Sequence, residues 1–342
     1  MEYGINREYS INSYYDGNKY TSSDYVDRVS KELFSYMPPL TKRPDFDEFW
    51  EETKKKAYSV PLDPKREVYD YPCDNVTVYK ISYNGFDTTR INGWFIVPTF
   101  MNKDKYPCLI HYHGYGGNMG RPAAYMQWVL MGVAVLAVDC RGQNGATGDN
   151  ASYSGGSTQA VACKGILNKE EYYFRAVYMD CVKAIDFAVA QEEVDDKRII
   201  IEGGSQGGAL GMAVCALDDR PCLAMVDVPS NSDLVRRVEG AHGAFKNVTE
   251  YLKAHPYDTD RVFETLSYFD TMNMADKIKC KVLASVGLKD ETCPAIMYMA
   301  TYNRIKSEKE IRIYPFNGHE GGNVVHNEIK LKFLSDFLKS NP

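Results

Sequence analysis

The chain has 342 residues, 44% of them apolar, and a formal net charge of −6. That apolar fraction excludes a fully disordered chain, and folding a chain of this length buries roughly 75% of its surface, so no metal or disulfide staple is needed. The acidic balance argues against nucleic acid as the main partner, because phosphate binding needs a basic field.

Residues 1–40 are polar and rich in tyrosine (Tyr3, Tyr9, Tyr14, Tyr15, Tyr20, Tyr25, Tyr36), and they end at Pro38-Pro39. They read as an N-terminal arm, with two readings open: a segment packed on the body or on a neighbouring subunit, or a disordered one. Within the arm, Asp24 to Tyr36 predicts one helix with Tyr25, Val29 and Leu33 on one face. The main domain is expected over 41–342. Asp45-Phe-Asp-Glu-Phe-Trp50 opens an amphipathic helix with an acidic first turn, which suits the helix dipole. Val76–Ile81 and Ile91–Val97 alternate as strands of an antiparallel edge. Short apolar runs follow at Cys108–Tyr112, Val133–Val138, Arg198–Glu202, Leu223–Val228, Lys281–Val286 and Ile311–Tyr314. Such runs are typical of strands buried on both faces of a parallel sheet. Helical patterns lie at Pro122–Met131, Phe174–Gln191, Gln206–Leu217, Pro294–Lys306 and Glu328–Lys339. The alternation predicts an α/β fold: a mostly parallel central sheet of about eight strands with helices on both faces. Two insertions follow strand ends, at about 144–172 and 232–270, where sites and lids are built.

The nine cysteines are odd in number and none stands at a C-x-x-C spacing. They read as reduced, buried thiols acting as small hydrophobes. No cofactor and no metal site is expected. The start, MEYGINREYS, lacks a basic segment followed by an apolar one, so no signal peptide is expected. No apolar run approaches the roughly 18 residues of a membrane helix. A cytoplasmic protein without a membrane partner is the expectation.

Chemistry concentrates at Gly203-Gly204-Ser205-Gln206-Gly207. This G-x-S-x-G follows an apolar run and opens a helical pattern, the context of a nucleophile elbow. A serine at neutral pH needs a base. Of the six histidines (111, 113, 242, 255, 319 and 326), His319 fits best, on the loop after the last predicted strand. His326 is expected to cap the last helix or face solvent, and His113 to pack at a strand end. The base needs an acid to fix its tautomer. Asp290 follows the strand Lys281–Val286 and so reaches the same rim; the adjacent Glu291 competes for the role. The developing oxyanion needs donors. Those expected are the backbone N–H of Gln206, after the nucleophile, and of Tyr115 in His111-Tyr-His-Gly-Tyr-Gly-Gly117.

Arg141-Gly-Gln143, Gly203-Gly-Ser-Gln-Gly207 and His319-Glu320 occur in that order. This set resembles carbohydrate esterase family 7, the acetyl xylan esterases and cephalosporin C deacetylases of the α/β-hydrolase superfamily. The resemblance runs from about Arg43 to the C-terminus. It includes Arg43-Pro-Asp-Phe-Asp-Glu-Phe-Trp50, Thr265-Leu-Ser-Tyr-Phe-Asp270 and Ile311-Arg-Ile-Tyr-Pro315. The family pattern is expected to start near Leu40, leaving residues 1–40 without a counterpart. The resemblance implies Ser205, Asp290 and His319 as nucleophile, acid and base, and the N–H groups of Tyr115 and Gln206 as oxyanion donors. It implies small acetylated sugars or an antibiotic such as cephalosporin C as substrate. It also implies a cytoplasmic homohexamer with contacts through residues 144–172. Arg141 and Gln143 are read as loop braces. Two alternatives stand beside this one: a serine peptidase of the prolyl oligopeptidase type, and a non-catalytic binding protein of the same fold.

Overall fold

The computed structural model describes residues 13–15, 18–20, 24–101, 103–155 and 160–341. Tyr3 and Tyr9 of the arm lie outside the described residues. The described residues open on a short hairpin, β1 (Ser13–Tyr15) and β2 (Asn18–Tyr20), then α1 (Asp24–Ser35) and α2 (Phe46–Tyr58). Three strands follow: β3 (Lys65–Tyr69), β4 (Val76–Asn84) and β5 (Arg90–Pro98). From there strands and helices alternate: β6 (Tyr106–Tyr112), α3 (Met126–Leu130), β7 (Ala134–Val138), α4 (Tyr173–Val189), β8 (Val194–Gly204), α5 (Gln206–Leu217) and β9 (Pro221–Asp227). Three short helices interrupt the alternation: α6 (Leu234–Glu239), α7 (Lys246–Ala254) and α8 (Thr259–Ser267). The chain closes with β10 (Lys281–Gly287), α9 (Ala295–Tyr302), β11 (Lys309–Tyr314) and α10 (Asn323–Ser340).

The eleven strands of the described residues join one sheet, in the order β1-β2-β11-β10-β9-β8-β6-β7-β5-β4-β3. The run from β7 to β11 is parallel, and β3, β4 and β5 are antiparallel. Eight strands match the predicted runs; β1, β2 and β3 are additional. The apolar runs are buried on both faces, because neighbours along a strand point to opposite sides. Ile110, Leu136, Ile201, Ala224 and Ala284 join one core cluster with α4 and α5. Leu109, Val135, Ile200, Met225 and Leu283 join a second with Trp128 of α3 and Leu334 of α10. Helices therefore cover both faces, as the alternation implied.

Three expectations need correction. The buried face of α1 is Val26, Ser30 and Leu33, while Tyr25 is exposed and stacks on Phe316. The arm's tyrosine ring is used at the rim instead of in the core. The last helix begins at Asn323, five residues before the predicted Glu328, so it contains His326. His326 is 2% exposed and neither caps the helix nor faces solvent. Among the described residues, no helix is long and apolar enough to cross a membrane.

Candidate active site

β8 ends at Gly204 and α5 begins at Gln206, leaving Ser205 alone on the turn. Its φ of +57° and ψ of −117° fall in a strained region, at a cost of about 1–3 kcal/mol. The turn is pinned: the Ser205 N–H donates to Asp227 O at 2.8 Å, and its carbonyl accepts from Ser230 N–H at 3.0 Å. The flanking glycines are sterically required. A Cβ on Gly203 would stand 2.6 Å from Tyr112 O, and one on Gly207 only 1.9 Å from the same atom. The end of β6 passes directly over the elbow.

His319 Nε2 lies 3.0 Å from Ser205 Oγ. His319 Nδ1 lies 2.8 Å from Asp290 Oδ2. Burial separates the two adjacent carboxylates: the Asp290 side chain is 0% exposed, whereas Glu291 is exposed. Asp290 Oδ1 accepts the N–H groups of Thr292 at 2.9 Å and Cys293 at 2.7 Å. The two loops are zipped together by Leu288 N–H to Tyr314 O and Lys289 N–H to Asn317 O, both 2.9 Å. The hydrogen bond to Asp290, and next that to Cys293, raise the His319 pKa above its ordinary value, against the opposing effect of burial. Burial pushes the Cys293 thiol up, but Arg237 and His319 bring it below its usual value.

The loop after β6 lies against the elbow, since a Cβ on Gly114 would stand 3.9 Å from Ser205 Cβ. Tyr115 follows Gly114 and lines the same cavity as Ser205. Gln206 opens α5, where the first N–H groups have no intrahelical acceptor. Gln143 braces this loop: its Oε1 accepts Gly116 N–H at 2.7 Å, and its Nε2 donates to Gln206 Oε1 at 3.0 Å. Arg141 is 0% exposed and bonded to Asp87 and Asp180. His113 is a packing residue. Burial lowers its pKa, its Nδ1 lies 2.8 Å from Gly114 O, and its Nε2 accepts Cys140 N–H at 2.8 Å.

His326 belongs to a buried charge network beneath the elbow. Its Nδ1 is 2.9 Å from Tyr314 OH and its Nε2 2.9 Å from Asp227 Oδ1. Lys330 donates to Glu202 at 2.7 Å and to Asp227 at 2.6 Å. Burial would raise the Glu202 carboxyl, but Lys330 and His111 hold it at about 2. All nine cysteines are unpaired, and Cys73 and Cys222 alone are partly exposed. Among the described residues, no group of three or more His, Cys, Asp or Glu is arranged to hold a metal.

Ser205 opens into a cavity of about 350 Å³ whose walls include Tyr115, Phe174, Arg237, Phe245 and Cys293. Arg237 and Phe245 come from the 232–270 insertion, so this segment forms part of the site wall. Sequence reasoning missed these two residues, and Phe174 and Cys293 with them. Only Cys293 carried a signal, through its place three residues after Asp290.

A profile of the acetyl xylan esterase family matches residues 24–337. The chain belongs to the acetyl xylan esterase family. The family's members are carboxylic ester hydrolases, and the fold here is that of the α/β-hydrolases. The match includes α1, so the family pattern begins well before Leu40, and the part without a counterpart shortens to the residues before 24. An acetyl xylan esterase from Paenibacillus sp. R4 superposes with a TM-score of 0.86 at 39% identity, over 90% of this chain and 98% of that one. Acetyl xylan esterase 1 from Thermoanaerobacterium sp. JW/SL YS485 gives 0.84 at 29% identity, with the same coverage. Among curated proteins, acetyl esterase Axe7A of Xylanibacter ruminicola is 27% identical over 294 residues, 83% of this chain. The match spans 65% of that relative's length.

Proposed function

We propose that the protein is a serine esterase that removes acetyl groups from small esters, with acetylated xylo-oligosaccharides and cephalosporin C as the substrate class. The observation that carries this reading is the chain of contacts Ser205 Oγ to His319 Nε2 to Asp290, at 3.0 and 2.8 Å, on the wall of one cavity. Ser205 Oγ attacks the ester carbonyl, and His319 Nε2 takes the hydroxyl proton. Asp290 accepts from Nδ1–H and so keeps Nε2 free to act as base. The N–H groups of Tyr115 and Gln206 receive the oxyanion. As the tetrahedral intermediate collapses, His319 returns the proton to the departing alcohol and acetyl-Ser205 is left. Water, deprotonated by His319, then attacks the acetyl carbonyl, and acetate and free serine are regenerated. No step calls on a cofactor or metal.

Acetyl specificity is supported by the names of the relatives. We read residues 41–342 as one catalytic domain with the preceding arm laid on it: β2 pairs with β11, and Val26 and Leu33 enter the main core cluster. A cytoplasmic homohexamer is the assembly that the family resemblance suggests, with the 144–172 segment in its contacts; light scattering on purified protein tests it. The enzymatic reading is tested by p-nitrophenyl acetate hydrolysis. The wild type is expected to favour acetate over butyrate and octanoate, and Ser205→Ala to lose at least about 10³-fold in kcat. Full activity of that variant would end the proposal.

A further inference from the structure

Arg237 is 1% exposed, stands in the wall of the active-site cavity, and has no assigned part in the reaction above. Its Nη1 donates to Thr292 O at 2.9 Å and approaches Cys293 Sγ at 3.6 Å. Its Nε and Nη2 are buried without a hydrogen-bond partner. No carboxylate of the described residues stands within ion-pair distance of it. A buried cation without a counter-ion is expensive, by several kcal/mol, and calls for an explanation.

The peptide geometry supplies one. Thr292 C=O and Cys293 N–H belong to the same peptide unit. Arg237 grips the oxygen end; the nitrogen end donates to Asp290 Oδ1 at 2.7 Å. The guanidinium is thus joined to the acid that orients His319 through a single polarised peptide. A cation on the oxygen makes the N–H a stronger donor. Other contacts from the same insertion hold this loop. His242 Nδ1 is 2.8 Å from Glu291 O, and a Cβ on Gly243 would stand 3.0 Å from Thr292 O.

We infer that Arg237 is a positioning residue for the triad that acts through its charge: it polarises the Thr292–Cys293 peptide, whose N–H is bonded to Asp290, the carboxylate that faces His319. The inference rests on the Ser205–His319–Asp290 reading. The charged and titratable groups facing His319 are Asp290 and Cys293 from the loop after β10, with Arg237 of α6 behind them. Glu320, on the histidine's own turn, is bonded to Asn317 and to Gly318 N–H.

The test is the pH profile of p-nitrophenyl acetate hydrolysis, with protein normalised by active-site titration. Arg237→Met is expected to lower kcat about tenfold or more with KM within about threefold. It should also move the acid limb to higher pH by about half a unit or more, because removing a nearby cation favours the imidazolium. A purely structural role has the opposite sign: a loosened Asp290 loop weakens the His319–Asp290 contact and moves the limb down. Arg237→Lys keeps the charge and should restore the wild-type limb and most of kcat. His242→Ala removes a loop contact but keeps the cation, so its limb should stay in place. If Arg237→Met does not fold, Arg237→Gln takes its place with the same expected shift. An unmoved or lowered limb in the neutral variant, or an equal shift in His242→Ala, overturns the inference. Ser205→Ala separates the two levels: if that variant stays active the triad reading fails, and if it is dead while the limb is unmoved only the role of Arg237 fails.

Discussion

Two arginines are buried close to the active-site rim, and they are built in opposite ways. Arg141 is surrounded by carboxylates: it bonds Asp87 at 2.9 Å and Asp180 at 2.6 Å, with Asp149 at 3.5 Å. Burial opposes its charge, but the carboxylates outweigh that and raise its pKa. Arg237 has backbone and sulfur for neighbours and leaves two nitrogens unpartnered. The first cation is neutralised where it stands, and its field ends inside the cluster. The second is left uncompensated, and its field reaches the peptide on which Asp290 rests. Self-contained ion clusters hold a loop in shape; an unpaired charge acts on what lies beside it.

Mutations at the two places should therefore separate stability from rate. The largest effect is expected at the acid on which the Arg237 side converges. Asp290→Asn should lower kcat about 10⁴-fold, because the wrong imidazole tautomer is then held. Its melting temperature should stay near wild type; a large fall in stability would place Asp290 with the structural cluster. Next comes Arg141→Met, which strands Asp87 and Asp180. It should lose about 3–5 kcal/mol of stability in urea unfolding while the folded fraction keeps its kcat. A drop in kcat per folded molecule would blur the contrast between the two arginines. The smallest effect concerns pH. Because Asp290 and Cys293 raise the His319 pKa, the acid limb of kcat/KM should lie above the roughly 6.5 of free histidine. The same shift sets the sign for stability. The contribution of the His319 pairing is present below the unfolded-state pKa and fades as pH rises through the raised folded value. A limb at or below the free-histidine value would show that the pairing does not favour the imidazolium.

The parts of the molecule differ in how openly the sequence announces them. The parallel strands were legible because both of their faces are buried, which leaves unbroken apolar runs such as Cys108–Tyr112. β3 was not, since Lys65-Arg-Glu-Val-Tyr69 is an exposed edge strand with no apolar face to betray it. The buried face of α1 is not the stripe of Tyr25, Val29 and Leu33, because the helix's rotation is set by what it docks on. His326 looked like a surface histidine because the carboxylate beside it, Asp227, comes from a strand about a hundred residues earlier.

Chain order alone placed Ser205, Asp290 and His319, the proposed nucleophile, acid and base, at the ends of parallel strands. It did so because strand–turn–helix punctuation and the tight glycine pair are local properties, written in adjacent residues. Tertiary structure decided which of Asp290 and Glu291 is buried against His319, and that Arg237 of a distant insertion reaches the peptide beneath Asp290. Those outcomes depend on how the 232–270 segment folds back over the loop after β10, and burial and hydrogen-bond partners across such distances have no signature in the residues taken one after another.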